Sequence, residues 1–190
     1  MNISGLLTAL DELESYRLLR EDLRQGEVPA PLGLMRAARA PVLSAIARDF
    51  SEEPGRPLLV VAGTTGRAQK LVQSLRDWSV HDPSILRFPE PLTLFYDRAP
   101  WTEEIIVGRL RVLSALYEQR EPAEDASPLI VVASARALMQ RTLPLHQYRL
   151  SIREVAVGQI LDLGRTLRRW AGLGYEPVSV VESAGQFSHR

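Results

Sequence analysis

The sequence predicts an α/β domain with a parallel sheet, followed by a small α+β domain. Three observations carry this expectation. Aliphatic runs at 58–63 and 129–134 are bounded by turn residues, as the buried strands of a parallel sheet are. Amphipathic helical stretches alternate with such runs, and that alternation builds a parallel sheet with right-handed crossovers. After Pro144 the texture changes to an alternating segment, a helix and a short strand. The expected domains are therefore 1–143 and 144–190.

The elements follow in order. Ile3 to Leu23 reads as helix, because Leu6, Leu10, Leu13 and Tyr16 recur at three- and four-residue steps and Leu19 and Leu23 extend the stripe. Gly26, Pro29 and Pro31 end it. A second helical stretch runs from about Met35 to Phe50, and Pro41 either marks its start or kinks it. Residues 51–57 form a turn. The run LLVVAG, 58–63, is expected to be a strand buried on both faces. Ala68, Leu71, Val72, Leu75 and Trp78 share one face of the helix that follows. Ser84 to Phe88 is a second short strand, and 91–100 is a loop rich in aromatics and proline. Thr102 suits an N-cap, Glu103 and Glu104 suit the first-turn dipole, and Ile106, Leu110, Leu113 and Tyr117 form the expected inward stripe of a helix to Gln119. A solvated connector, 121–128, leads to the third strand, 129–134, and a short helix through Leu143. In the second domain, Leu150, Ile152, Val155 and Val157 are the inward positions of an alternating segment. A helix from Leu161 to Leu173 and a strand over Val178 to Val181 complete it.

Composition excludes several functions. The 190 residues contain no cysteine, so disulfides, thiolate metal sites and a cysteine nucleophile are ruled out. Basic and acidic residues number 23 each, so whole-molecule attraction to nucleic acid or an acidic membrane is not expected. No run approaches the roughly 18 apolar residues of a spanning helix. The N-terminus has no basic n-region. A cytoplasmic protein with no membrane partner is expected. Lys70 is the only lysine, and Arg165, Arg168 and Arg169 cluster on one helix of a mildly basic C-terminal segment.

The search for chemistry finds mostly absences. A phosphate loop needs a glycine-rich turn, a lysine and a magnesium-binding hydroxyl. Gly33 occupies the first glycine position, but Ala38 stands at the second, Arg39 at the lysine and Ala40 at the hydroxyl. An alanine cannot ligate magnesium, so this degenerate nucleotide loop is expected to be non-functional and ATP not to bind. A second turn, Gly63-Thr64-Thr65-Gly66-Arg67, opens a helix after a strand and matches no phosphate signature. His81, His146 and His189 lack ligand spacing, so no metal site is expected. Ser134 has no nearby histidine and no nucleophile elbow. Glu103 and Glu104 are adjacent and serve the helix dipole rather than acid–base chemistry. No catalytic residue and no cofactor is assigned, which favours a binding or scaffold role.

Four stretches carry a family resemblance: GLMRAARAPVLSAI, RFPEPLTLFYDRAPWTEEIIVGRLRVLSAL, VVASARALMQRTLP and LGYEPVSVVESAGQFSHR. In this order, from Leu32 to Arg190, they resemble the N-terminal module of the bacterial transcription-repair coupling factor, Mfd, which is itself similar to UvrB. UvrB keeps a working phosphate loop and a long Tyr-rich hairpin. Here the loop is degenerate, and Tyr96 is followed almost at once by Pro100, which leaves no room for the hairpin.

The resemblance implies a parallel sheet of degenerate P-loop, helicase-like type. It implies a non-catalytic module that recruits UvrA in transcription-coupled nucleotide excision repair, with Arg168, Arg169, Phe187 and Arg190 at the UvrA-binding surface. Gln186 departs from the family's usual Glu. RNA polymerase and DNA are expected to be engaged only by other domains of the full-length protein. Because the family continues past Arg190 into another strand, the chain is expected to be a fragment with an incomplete second domain. The alternative expectation is a fragment of a UvrB-like, ATP-dependent DNA damage-recognition subunit.

Overall fold

The computed structural model describes residues 3–50, 56–78, 85–91, 101–120, 128–153 and 155–189. The aromatic loop at 92–100 with Tyr96, most of the turn at 51–57 and of the connector at 121–128, and also Ser84, His81 and Arg190, lie outside the described residues. The chain divides into two compact units, Met1–Gln140 and Arg141–Arg190.

The first unit is mixed α/β. Strands β1 (Leu58–Ala62), β2 (Ile85–Phe88) and β3 (Ile130–Ser134) form a parallel sheet in the order β1-β3-β2. Leu58 and Ile85 both register with Ile130, so β3 is the central strand. All five of its residues are buried. Helices α2 (Arg36–Asp49) and α3 (Thr65–Trp78) cover one face, where Ala40, Ala68, Val72 and Leu75 pack on Ile85, Ile130 and Val132. Helices α4 (Glu103–Glu118) and α5 (Ala135–Met139) supply Val112 and Ala137 to the other, against Phe88, Val131 and Ala133. This accounts for the pattern in β3: a central parallel strand has no solvent face, so it reads as continuous hydrophobic sequence.

β1 corrects one expectation. It is not buried on both faces: Leu59 and Val61 are 52% and 53% exposed. β1 is an edge strand covered by α2 and α3 on one side, whereas α4 packs on β2 at the opposite edge.

The N-terminal helix is also interrupted. Ser4–Glu12 is a 3-10 helix, Leu13 is extended, and α1 (Glu14–Gln25) begins after it. Leu6 and Leu13 are consequently exposed, while Leu7, Tyr16 and Leu19 pack on Val42 and Ala45 of α2. Gly26 ends α1 at φ 75°, and the Glu27 amide donates to the Asp22 carbonyl, a closure that favours glycine. The Tyr16 hydroxyl donates to Asp49 Oδ2 at 3.0 Å, and Arg48 bridges Asp49 and Asp11. Burial, then this bond, pushes the Tyr16 hydroxyl pKa well up. α2 begins before Pro41 and continues past it.

α4 spans nearly the expected range but faces differently. Ile105, Arg109 and Val112 are buried, whereas Ile106 and Leu110 are 43% and 42% exposed. The helix is apolar on adjacent strips, and the strip holding Arg109 faces inward.

In the second unit, α6 (Leu145–Ser151) and α7 (Leu163–Gly172) are helices, and β4 (Glu176–Pro177) and β5 (Gln186–Phe187) form a two-residue parallel pair. The alternating strand expected over 148–157 is instead α6 followed by irregular chain. Among the described residues there only Tyr148 is buried, and Leu150, Val155 and Val157 are exposed. Leu145 and Tyr148 are three residues apart, which stacks them on one helix face but would put them on opposite faces of a strand, and helix prevails. The strand expected at Val178 to Val181 lies earlier, at 176–177, where the Glu176 amide donates to the Gly185 carbonyl at 2.8 Å. α7 begins after Asp162, whose carboxylate accepts the Arg165 amide at 2.9 Å.

Candidate functional site

The carboxyl ends of parallel strands are where α/β folds place ligands. In the first unit this crevice holds a carboxylate. Glu90, two residues beyond β2, accepts on Oε2 from the Ser134 hydroxyl at 2.6 Å and from the Thr65 hydroxyl. Arg136 Nε stands 3.2 Å from its other oxygen. Ser134 is also the N-cap of α5, accepting the Ala137 amide at 3.1 Å. Burial alone would raise the Glu90 pKa, but the two hydroxyl donors and Arg136 outweigh it and hold the carboxyl below its ordinary range. The carboxyl ends of all three strands thus meet at Glu90, through Thr65 after β1 and Ser134 at the end of β3. The sequence carried no local signal for this, because its hydroxyl partners are 25 and 44 residues away.

Arg109 was missed for the same reason. Only 3% exposed, its guanidinium donates to the carbonyls of Pro89 and Ala137 at 3.1 and 3.2 Å. It lies 3.9 Å from the Phe88 ring centroid and 4.9 Å from that of Trp101. Burial lowers its pKa. A Cβ on neighbouring Gly108 would fall 3.0 Å from Pro89 Cγ, so the missing side chain lets α4 approach.

The degenerate loop is placed as follows. Gly33 is exposed in irregular chain, and no strand precedes it among the described residues. α2 begins at Arg36, so Ala38, Arg39 and Ala40 are already helical. The Ala38 amide donates to the Met35 carbonyl at 3.0 Å, and Ala40 is buried in the core. Arg39 points into a cleft of about 830 Å³ between α2, β1 and α3. The Gly63–Arg67 turn lines the same cleft through Gly63, Thr64, Gly66 and Arg67. The tertiary fold therefore joins two turns that the sequence left thirty residues apart.

In the second unit, Phe187 is buried and meets Trp170 edge-on with centroids 5.5 Å apart. Tyr175 stands 6.4 Å from Trp170 on a tilted plane. Arg168 is exposed on α7. Arg169 donates from Nη2 to the Leu150 carbonyl at 2.6 Å. The Gln186 side chain accepts the amides of Glu182 and Ser183, closing the turn before β5. Trp170, which follows Arg168 and Arg169 in the chain, is the centre of this cluster.

Among the described residues, no group of three or more histidine, aspartate or glutamate side chains could hold a metal ion. None of the described helices is long and apolar enough to cross a membrane. No protein-family model matches the chain. Two curated relatives do. A transcription-repair-coupling factor of Myxococcus xanthus is 32% identical over 176 residues, covering 90% of this chain and 14% of the relative. This chain is similar to part of the transcription-repair-coupling factors. A second such relative, from Bacillus subtilis strain 168, is 25% identical over 189 residues, covering 99% of the chain and 15% of the relative. The chain thus corresponds to a small part of these relatives, and the Mfd likeness extends through both units.

Proposed function

We propose that this stretch of a transcription-repair-coupling factor is a non-catalytic protein–protein interaction module that recruits UvrA in transcription-coupled nucleotide excision repair. The carrying observation is the cluster in the second unit. Trp170, Tyr175 and Phe187 fix α7 against the β4–β5 turn, and Arg168 stands on that helix exposed to solvent. Arginine and aromatic residues are enriched at binding hot spots, and an exposed arginine can pair with acidic partner groups. Phe187 serves from within, as support. Arg169, through its hold on Leu150, ties α7 to the last turn of α6. Arg190 is proposed to complete the surface.

The non-catalytic part of the reading rests on the first unit. A methyl group stands at Ala40 where a hydroxyl would be needed, and the Ala38 amide is engaged within its own helix. We read the sheet as a P-loop, helicase-like relic on the same grounds. Contacts to RNA polymerase and DNA are assigned to other parts of the full-length protein.

Calorimetry with purified UvrA tests the proposal, with Arg168→Ala run beside the parent chain. Saturable binding weakened about tenfold or more by the substitution supports it, since hot-spot truncations cost roughly 1–2 kcal/mol or more. No binding by a chain with a cooperative unfolding transition overturns it. Magnesium-dependent ATP binding would instead favour the UvrB-like reading.

A further inference from the structure

The cleft between α2, β1 and α3 is not used by the proposed recruitment surface, which lies in the other unit. Its composition is asymmetric. Leu43, Ile46, Leu71 and Trp78 give it apolar walls. Arg36 and Arg39 from α2, and Arg67 and Lys70 from the start of α3, supply four cations. No acidic side chain lines it among the described residues, and none of the four cations has an ion-pair partner there. The sole lysine of the chain is one of them. Arg67 is folded back toward the turn, so that a Cβ on Gly63 would fall 3.7 Å from its Nη1. The nearby carboxylate, Glu90, is already committed to Thr65, Ser134 and Arg136 and does not line the cleft.

Four like charges around one concavity raise the local positive potential, which attracts an anionic group. The volume lies within the range of small-ligand sites, about 300–1,000 Å³, which are mostly apolar with a few convergent polar groups. We propose that this cleft binds a small amphiphilic organic anion, with its ring or chain against the apolar walls and its anionic group among Arg36, Arg39, Arg67 and Lys70. The absence of lining carboxylates makes the binding independent of divalent metal. The site is separate from any former ATP chemistry, because it needs neither a free Ala38 amide nor a hydroxyl at Ala40.

The test uses two fluorescent probes of matched shape in EDTA. 8-Anilinonaphthalene-1-sulfonate carries the anion; N-phenyl-1-naphthylamine lacks it. The expected result is saturable, one-to-one binding of the sulfonate at least tenfold tighter than the neutral probe. The Arg39→Glu/Lys70→Glu double variant is expected to weaken it at least tenfold, with Arg111→Glu, on exposed α4 surface, unchanged. Each variant is checked for cooperative unfolding, and Arg39→Gln/Lys70→Gln replaces the double variant if that one fails to fold. Equal affinity for both probes, or indifference to these substitutions, overturns the proposal. Displacement of the probe by a single-stranded oligonucleotide, but not by small aromatic carboxylates, also overturns it and assigns the cleft to a nucleic-acid backbone.

Discussion

Ser134 donates its hydroxyl to the Glu90 carboxylate at 2.6 Å, joining the ends of two neighbouring parallel strands. The Thr65 hydroxyl brings the third strand's turn to the same oxygen. A side chain two residues past β2 therefore fixes the carboxyl edge of the whole sheet. Hydrogen bonds to an ionised, largely buried group contribute more than neutral ones do.

Replacing Glu90 with Gln is expected to cost about 1–3 kcal/mol at pH 7, the range for charge-assisted bonds. The pH dependence has a definite sign. The folded-state pKa lies below the ordinary value, so the contribution is present above the unfolded pKa and is lost as pH falls through the folded one. Urea titrations of the parent chain and Glu90→Gln are thus expected to converge in acid, below the usual carboxylate range. A gap that stays constant from neutral pH into acid would refute the assignment.

Ile105 and Ile106 are adjacent but face differently, being 8% and 43% exposed. Ile105→Ala is expected to lose about 2–5 kcal/mol, as large-to-small core changes do, and Ile106→Ala less than about 1 kcal/mol. Chemical denaturation of both variants measures the difference. The opposite ranking would restore the stripe expected from sequence.

Arg109 donates from Nη1 to the carbonyls of Pro89 and Ala137 and from Nη2 to that of Gln140 at 3.5 Å, with its planar guanidinium against Phe88. Lysine cannot reproduce that geometry. Arg109→Lys and Arg109→Met are both expected to destabilise by about 1–3 kcal/mol through unsatisfied buried carbonyls. Retained stability in Arg109→Lys would show that charge alone matters at this position.

Phe187 and Arg168 are expected to separate support from contact. Phe187→Ala removes the edge-on partner of Trp170 and is expected to cost up to about 3–5 kcal/mol, enough to loosen the small second unit. Arg168→Ala is expected to leave the unfolding midpoint in place and to act only on partner binding. Trp170 fluorescence and near-ultraviolet circular dichroism, read on both variants, distinguish the two behaviours.

Much of this fold was determined locally and could be read in the chain. The unbroken run Ile130 to Ala133 marks a strand of a parallel sheet, because such strands read as continuous hydrophobic sequence. The spacing of Ala68, Val72 and Leu75 marks one helix face because side chains three and four apart stack on the same side. The alanines at positions 38 and 40 remove the groups a phosphate loop requires, whatever the surroundings. Other features were decided only by tertiary structure. Whether LLVVA is buried on one face or two depends on its place in the sheet, which no local pattern records. The choice between Ile105 and Ile106, and between strand and helix around Tyr148, was made by what packs against them. The meeting of Thr65, Glu90 and Ser134, and of Arg39 with Arg67 in one cleft, exists only once distant segments are folded together. Local periodicity specifies which face of an element is apolar; the partners of a polar side chain are set by chain topology.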